Sequence, residues 1–288
     1  MNALVPTRNA LSTMFAAINP KIGALPESGP PLSQLGSDTY HAWTLIGVDE
    51  LHEGCCVSGR KGGWHCWNIT GLRDWARPGG GGYNAEGNAL LYKVLTTATD
   101  LATYLNNTAL SSAWSKNATA LKAKFNEAFW LESAGLYRDN QTTTLCPQDA
   151  NSFAILYNLT TSETQANRVS EGLQKNWNDL GPVAPELPDT ISPFIGGFEL
   201  QAHFESGNDA RALDLLRRTW GYMLYTNLVQ STLLEGFTAN GSLSYRSYRG
   251  YNYDAAYTSH AHGWSAGPTP ALTFYVLGLT VTSLQGKT

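Results

Sequence analysis

Glu235 is the acidic residue of this sequence whose position best suits acid–base chemistry. It follows a run that is first polar and then apolar, residues 230–234, and it begins a long polar loop that extends to Trp264. Partial removal of a carboxyl group from water favours its use as a general acid or base. The alternative interpretation is an ordinary glutamate at a helix end, with its side chain in water. Position alone does not separate the two.

Two further motifs carry polar groups beside aromatic ones. His260 and His262 lie two residues apart at the end of the same loop, where they could face a pocket or bind a metal, although no third ligand is nearby. A histidine that caps the last helix is an equally ordinary interpretation. Asp74 and Trp75 precede four consecutive glycines, which do not form a phosphate-binding loop because the required Lys and Ser or Thr are missing.

Other acidic and metal-type residues have simpler structural explanations. Asp149 suits the first turn of a helix, and Glu199 with His203 forms an i,i+4 pair on one helix face. A cysteine- and histidine-rich cluster has ligand spacing that fits no standard zinc finger, so we expect no metal ion and no cofactor. Its members are His52, Cys55, Cys56, His65 and Cys66.

Composition narrows the class of partner. The 288 residues are 15% charged and 11% aromatic, with a net charge of -4, so the chain has no excess of positive charge for nucleic acid. Its apolar runs are broken well short of the roughly 20 residues that span a membrane. A weakly charged, aromatic-rich surface suits carbohydrate, because the C–H faces of sugars pack on aromatic rings.

Asparagine is frequent and forms six N-x-[ST] sequons. This density favours a secreted glycoprotein, although the first twenty residues are predicted to be an ordinary helix rather than a signal peptide. The sequons are at Asn68, Asn106, Asn117, Asn140, Asn158 and Asn240.

Apolar residues recur at helical spacing through most of the chain, so we predict a mainly α fold. Asp38, Pro147 and the pair Ser192 and Pro193 suit helix starts. Two stretches lack this period: residues 47–71, which are atypical, and the loop from Glu235 to Trp264. The predicted helices are 7–18, 39–48, 84–105, 111–130, 147–157, 163–176, 192–206, 208–226 and 267–280.

Six blocks of the sequence resemble, in order, those of the fungal α-L-rhamnosidase-like proteins of glycoside hydrolase family 78. The blocks are SDTYHAWTLIG, ITGLRDWAR, GYNAEGNALLYKVLTTATDLA, CPQDANSFAILY, ISPFIGGFELQAHF and SHAHGWSAGPTPALTFYVLGL. The resemblance implies an (α/α)6 toroid that hydrolyses terminal α-linked L-rhamnose with inversion. By the same match, Glu235 corresponds to the catalytic base, and the substrate-binding positions are His262, Trp75, Asp74, Trp43 and Asp38.

The sequence departs from the family pattern in two places. The family's acidic motif with the general acid is not found before Asp38, and the accessory β domains are not found either. Residues 47–71 also resemble nothing in the family. We therefore expect residues 1–288 to form one incomplete helical catalytic-type domain that does not turn over rhamnosides alone. The alternatives are another α/α-toroid glycosidase, or a non-catalytic carbohydrate-binding fragment.

Overall fold

The computed structural model describes Arg73 and residues 82–227, 232–245 and 254–280. The chain divides into two compact units, Met1–Ala128 and Phe129–Thr288. The expectation that residues 1–288 form a single catalytic-type domain stays a prediction. The predicted helices 7–18 and 39–48 and the atypical stretch 47–71 lie outside the described residues.

In the first unit, two long helices follow one another. Helix α1 is Ala85–Tyr104 and helix α2 is Thr108–Phe129. The side-chain oxygen of Asn84 accepts the Gly87 N–H at 2.8 Å, which caps α1. Asn106, in the connector, has φ +56°, a conformation that asparagine adopts more readily than most residues.

The described part of the second unit contains four longer α-helices and one short α-helix. These are α3 (Gln148–Leu156), α4 (Glu163–Gln174), α5 (Pro193–Glu205), α6 (Asp209–Tyr225) and α7 (Pro268–Ala271). Helices α3 and α5 pack side by side, α4 packs on α3, and α6 packs on α5. The connections within each pair are short, as expected for helical hairpins.

Burial differs between the two helices of each pair. Every residue of α3 from Gln148 to Ile155 is buried, and α5 is buried over most of its length. Helix α6 instead buries one stripe at helical spacing and leaves the opposite face in water. Inner helices enclosed on all sides therefore alternate with outer helices that are amphipathic. The buried stripe of α6 is Ala212, Leu215, Thr219, Trp220 and Met223.

In the ranges that the structure describes, three antiparallel pairs of two-residue strands lie between the helices. Strand β1 (Trp130–Leu131) pairs with β2 (Leu136–Tyr137), β3 (Trp177–Asn178) with β4 (Gly181–Pro182), and β5 (Thr190–Ile191) with β6 (Phe237–Thr238). In the last pair, Ile191 lies opposite Phe237 and both side chains are fully buried. This pair brings the chain after α6 back to the start of α5.

The helix predictions are confirmed for α1 to α6, each within three residues at both ends. Ser192 precedes α5 and Pro193 opens it, as predicted, whereas Pro147 lies just before α3 rather than in its first turn. The predicted helix 267–280 is wrong in part. It is α-helical only at Pro268–Ala271, and a wider π turn, Leu272–Val276, follows until Gly278 at φ +70° ends it. None of the helices in the described ranges is long and apolar enough to cross a membrane.

Candidate active site

The candidate site is built from two chain segments that run alongside each other, residues 232–237 and residues 259–265. Hydrogen bonds join them at several levels, so each segment fixes the main chain of the other. The bonds are Glu235 N–H to Ser259 O (2.8 Å), His262 N–H to Leu233 O (2.8 Å) and Ser265 Oγ–H to Leu234 O (2.5 Å). This pairing places the predicted base and the predicted sugar-binding histidine in one hydrogen-bonded structure.

The side chain of Glu235 is buried, with 1% of its surface exposed. Its Oε2 accepts the main-chain N–H of Ser259 at 3.0 Å, so the amide that follows the long loop holds the carboxylate. Glu235 lies two residues before β6, not at a helix end. The alternative of a helix-end glutamate with its side chain in water is therefore wrong, because strand pairing and its neighbours withdraw it from solvent.

Apolar neighbours explain why this acidic residue is inside the protein. Leu234 and Phe237, on either side of it, are fully buried in the apolar core. A β-carbon on the intervening Gly236 would overlap the ring of Tyr245, so the backbone passes directly against that ring. The segment is thus held by apolar packing, and its one carboxylate is held by hydrogen bonding.

His262 is half-buried, and its ring lies against that of Trp264 with 4.4 Å between the ring centroids. It directly precedes a short turn, Gly263–Ser265, but its side chain makes no capping hydrogen bond to that turn. His260 is exposed. The interpretation as a helix-capping histidine is therefore not supported, since the side chain of His262 contacts an aromatic ring instead.

A row of aromatic rings continues from His262 into the helices. Trp264 stacks on Phe194 of α5 with 5.2 Å between centroids and 18° between ring planes. Phe194 meets Phe198 edge-on at 5.4 Å, and Phe198 meets Phe153 of α3 at 5.1 Å. No role for Trp264, Phe194 or Ser259 was predicted from the sequence. The one sequence feature that could have indicated Ser259 and Trp264 is that both lie within three residues of His262.

Glu199 and His203 form the buried pair that their spacing predicted. Glu199 Oε1 lies 3.2 Å from His203 Nε2, and both side chains are fully buried. Glu199 also accepts hydrogen bonds from Gln148 Nε2 and from Trp177 Nε1, each at 2.6 Å. Ser170 Oγ meets His203 Nδ1 at 2.7 Å. The network joins α3, α4 and α5, so it belongs to the scaffold.

The remaining predicted site residues, Asp38, Trp43, Asp74 and Trp75, lie outside the described residues. Arg73, next to two of them, pairs with Glu86 of α1 at 3.5 Å, and both side chains are buried. Within the described ranges, no group of three or more His, Cys, Asp or Glu side chains could hold a metal ion. The cysteine- and histidine-rich cluster at residues 52–66 falls outside those ranges, so the absence of zinc stays a prediction.

Comparison with known proteins shows the class to which this fold belongs. Residues 58–181 match the model of the bacterial alpha-L-rhamnosidase 6 hairpin glycosidase domain. A comparison with curated proteins gave no match.

Three solved rhamnosidases share the fold. They come from Aspergillus terreus (TM-score 0.55, 17% identity, 80% of this chain covered), Bacillus sp. GL1 (0.54, 23%, 71%) and Klebsiella oxytoca, with rhamnose bound (0.51, 19%, 68%). The matched part amounts to 26%, 20% and 34% of those chains, respectively. This chain therefore spans about a third or less of their length.

The predicted fold class is confirmed: the described helices belong to a partial α/α toroid of the six-hairpin glycosidase type. The resemblance to the family 78 rhamnosidases is confirmed by the same matches, whereas the fungal assignment within that family stays a prediction. The alternation of buried inner helices with amphipathic outer helices is what this fold requires. The family model that matches residues 58–181 describes a glycosidase domain.

Proposed function

We propose that this chain contributes the helical catalytic part of an inverting α-L-rhamnosidase, which releases terminal L-rhamnose. The observation that carries the proposal is the buried carboxylate of Glu235, held by the Ser259 amide in the same structure as the half-buried His262. The match to a rhamnosidase-type domain supports the choice of sugar. No cofactor takes part in the proposed reaction.

In this mechanism Glu235 is the general base. Its carboxylate takes a proton from a water molecule that attacks the anomeric carbon on the face opposite the leaving group. The Ser259 N–H bond to Oε2 restricts the rotation of the carboxylate, so it is oriented before the substrate arrives. His262 donates or accepts a hydrogen bond at a sugar hydroxyl, and the neighbouring ring of Trp264 fixes the orientation of its imidazole.

The mechanism also needs a general acid, which protonates the leaving oxygen. In inverting glycosidases the two carboxyl groups are about 6.5 to 9.5 Å apart, which leaves room for the water. We propose that Asp74, Asp38, Trp75 and Trp43 bind the sugar. If this chain turns over a natural rhamnoside, Asp38 and Asp74 are the first carboxyl groups to mutate in search of the acid. All four belong to blocks that resemble the family.

Binding of free L-rhamnose tests the substrate assignment in the chain as it stands. Titration calorimetry should detect L-rhamnose and should give no signal with D-glucose at the same concentration. Binding of glucose but not rhamnose would instead support a different α/α-toroid glycosidase. An engineered form that is extended at its N-terminus by the family's acidic motif should release the β anomer of L-rhamnose first, as observed by NMR. Rhamnose binding without any turnover in that form would support a non-catalytic carbohydrate-binding protein.

We also propose that the protein is a secreted glycoprotein. Three of its sequons present an exposed asparagine, at Asn106, Asn158 and Asn240, which leaves room for a glycan. Asn117 lies within α2 and is half-buried. Mass spectrometry of protein secreted by a eukaryotic host should find glycans at the exposed sites. An unglycosylated product would contradict the proposal.

A further inference from the structure

Trp264 makes three contacts that together tie the proposed base to the proposed sugar-binding residue. Its indole Nε1–H donates to the main-chain oxygen of Glu235 at 2.8 Å. Its ring lies against the imidazole of His262, with centroids 4.4 Å apart and 50° between the planes. Its other aromatic partner is Phe194, on which it stacks. One rigid ring system thus contacts the main chain of one site residue and the side chain of the other.

The stacking partner determines where this ring can lie. Phe194 is the second residue of α5, a helix that is buried over most of its length. The indole is nearly parallel to the Phe194 ring, so the helix sets the orientation of the indole plane. Contacts of Trp264 with helix α5 therefore help to fix the position of Glu235 relative to His262. The long loop does not fix this position alone.

A second tryptophan, Trp220, makes the same kind of bond, and its acceptor is the residue that follows Trp264. The Nε1–H of Trp220 donates to the main-chain oxygen of Ser265 at 2.7 Å. Trp220 is 3% exposed and belongs to the apolar core of α6, α5 and their neighbours. Two indoles thus anchor the segment 259–265. Trp220, from the core, binds its main chain, and Trp264, within the segment, binds the main chain of Glu235. Among the described contacts, only the indole of Trp264 also lies against the ring of the proposed sugar-binding histidine, with the two planes tilted by 50°.

We infer that Trp264 is a positioning residue that sets the geometry between Glu235 and His262. The inference rests on the proposed function, because it gives these two residues their roles. Its physical basis is preorganisation, since a site residue works well only when its neighbours hold it close to the productive geometry. A phenyl ring at this position would keep most of the stacking but would remove the hydrogen-bond donor. The main chain of Glu235 would then lose one anchor.

The experiment compares Trp264→Phe with Trp220→Phe in the chain as it stands. Each variant removes one indole N–H bond to a main-chain oxygen of the same structure. We expect Trp264→Phe to speed hydrogen exchange at the Ser259 amide, which binds the Glu235 carboxylate, by about fivefold to tenfold, the factor of one hydrogen bond. We expect it to weaken L-rhamnose binding by a similar factor. Trp220→Phe should lower the melting temperature but leave both quantities within about twofold.

The exchange measurement tests the positioning role of Trp264, whereas the binding measurement also tests the proposed function. An unchanged Ser259 exchange rate in Trp264→Phe, or equal effects of the two variants, would overturn the positioning role and make Trp264 one more packing residue. Failure of the unmutated protein to bind L-rhamnose would overturn the proposed function, and the exchange comparison would then decide the positioning role alone. If Trp264→Phe does not fold, Phe194→Leu replaces it. That variant keeps the indole donor but removes its stacking partner, and unchanged exchange and rhamnose affinity would overturn the inference.

Discussion

The main chains of Gly197 and Gly267 are in direct contact. A β-carbon on Gly197 would lie 2.9 Å from the Cα of Gly267, and one on Gly267 would lie 2.5 Å from the Cα of Gly197. Gly197 is in α5, and Gly267 follows the segment that carries His262 and Trp264. The absence of two side chains therefore lets the site segment pack directly on the helix that also carries Phe194.

Gly197→Ala should destabilise the protein by about 1 to 3 kcal/mol, because backbone atoms cannot move aside as a side-chain tip can. Gly196→Ala is the matched control on the same helix. The nearest atom to its new methyl group is in Trp220 at 3.7 Å, an ordinary contact. It should raise stability by up to about 1 kcal/mol, because alanine favours a helix over glycine. Urea denaturation measures both. Equal stability of the two variants would contradict the contact.

Glu235→Gln should lower kcat by about three to five orders of magnitude with little change in KM, because the amide cannot accept the proton from water. The measurement uses an engineered form that is extended at its N-terminus by the family's acidic motif. The amide oxygen can still accept the Ser259 N–H, so the fold should be retained. His262→Ala should raise KM as well, since its proposed work is sugar binding. Activity of Glu235→Gln within tenfold of the unmutated protein would remove Glu235 from the mechanism.

Glu199→Gln should destabilise the fold by about 2 to 4 kcal/mol, although it changes little in size. The carboxylate accepts bonds from Gln148 and Trp177, one on each oxygen. A glutamine presents one acceptor and one N–H donor, so one of these donors would face another donor in a buried place. Glu171→Gln, on the exposed side of α4, should change stability by less than about 0.5 kcal/mol. Chemical denaturation that finds the two variants alike would show that the network adds nothing.

Glu132 should make stability depend on pH in the acid range. Hydrogen bonds from the Trp130 indole and from Arg168 lower the pKa of its carboxyl group. A pKa lowered by folding gives a stabilisation that is present above the ordinary glutamate pKa and is lost as the pH falls through the lowered value. Glu132→Gln should therefore lower the melting temperature at pH 7, and the difference should be smaller at pH 3, which lies below the ordinary glutamate pKa. A difference that is the same at both pH values would refute this.

The helices could be predicted from sequence because their signals are local. Helices α1 to α6 each show apolar residues at helical spacing, and Asn84 and Ser162 supply caps just before α1 and α4. The strand pairs could not be predicted, since two residues are too few to show an alternating pattern. The end of the chain was overestimated as helix because an apolar run continues after Ala271, although its hydrogen bonds widen to the π pattern.

The sequence predicted some residues of the candidate site, but it did not predict their contacts or their burial. Glu235 was recognised by its position and by resemblance, but nothing near it in sequence showed that it is buried. Its partners, Ser259 and Trp264, lie 24 and 29 residues further along the chain. Such contacts depend on how the loop closes, which periodicity does not encode. His262 was recognised within its motif, whereas the ring that orients it was overlooked.

The direction of these contacts has a consequence for how the protein is made. The hydrogen bonds described for Glu235 join it to Ser259 and Trp264, which the ribosome adds later. Helices α3 to α6 can pack as soon as their residues emerge, because their partners are close in sequence. The Glu235 carboxylate can bind the Ser259 amide only after a loop of more than twenty residues closes. The entropic cost of this closure grows with the logarithm of loop length. In a nascent chain, assembly of the candidate site therefore follows formation of the helical scaffold. A chain that stops before Ser259 has helices α3 to α6 but lacks the amide that binds the Glu235 carboxylate.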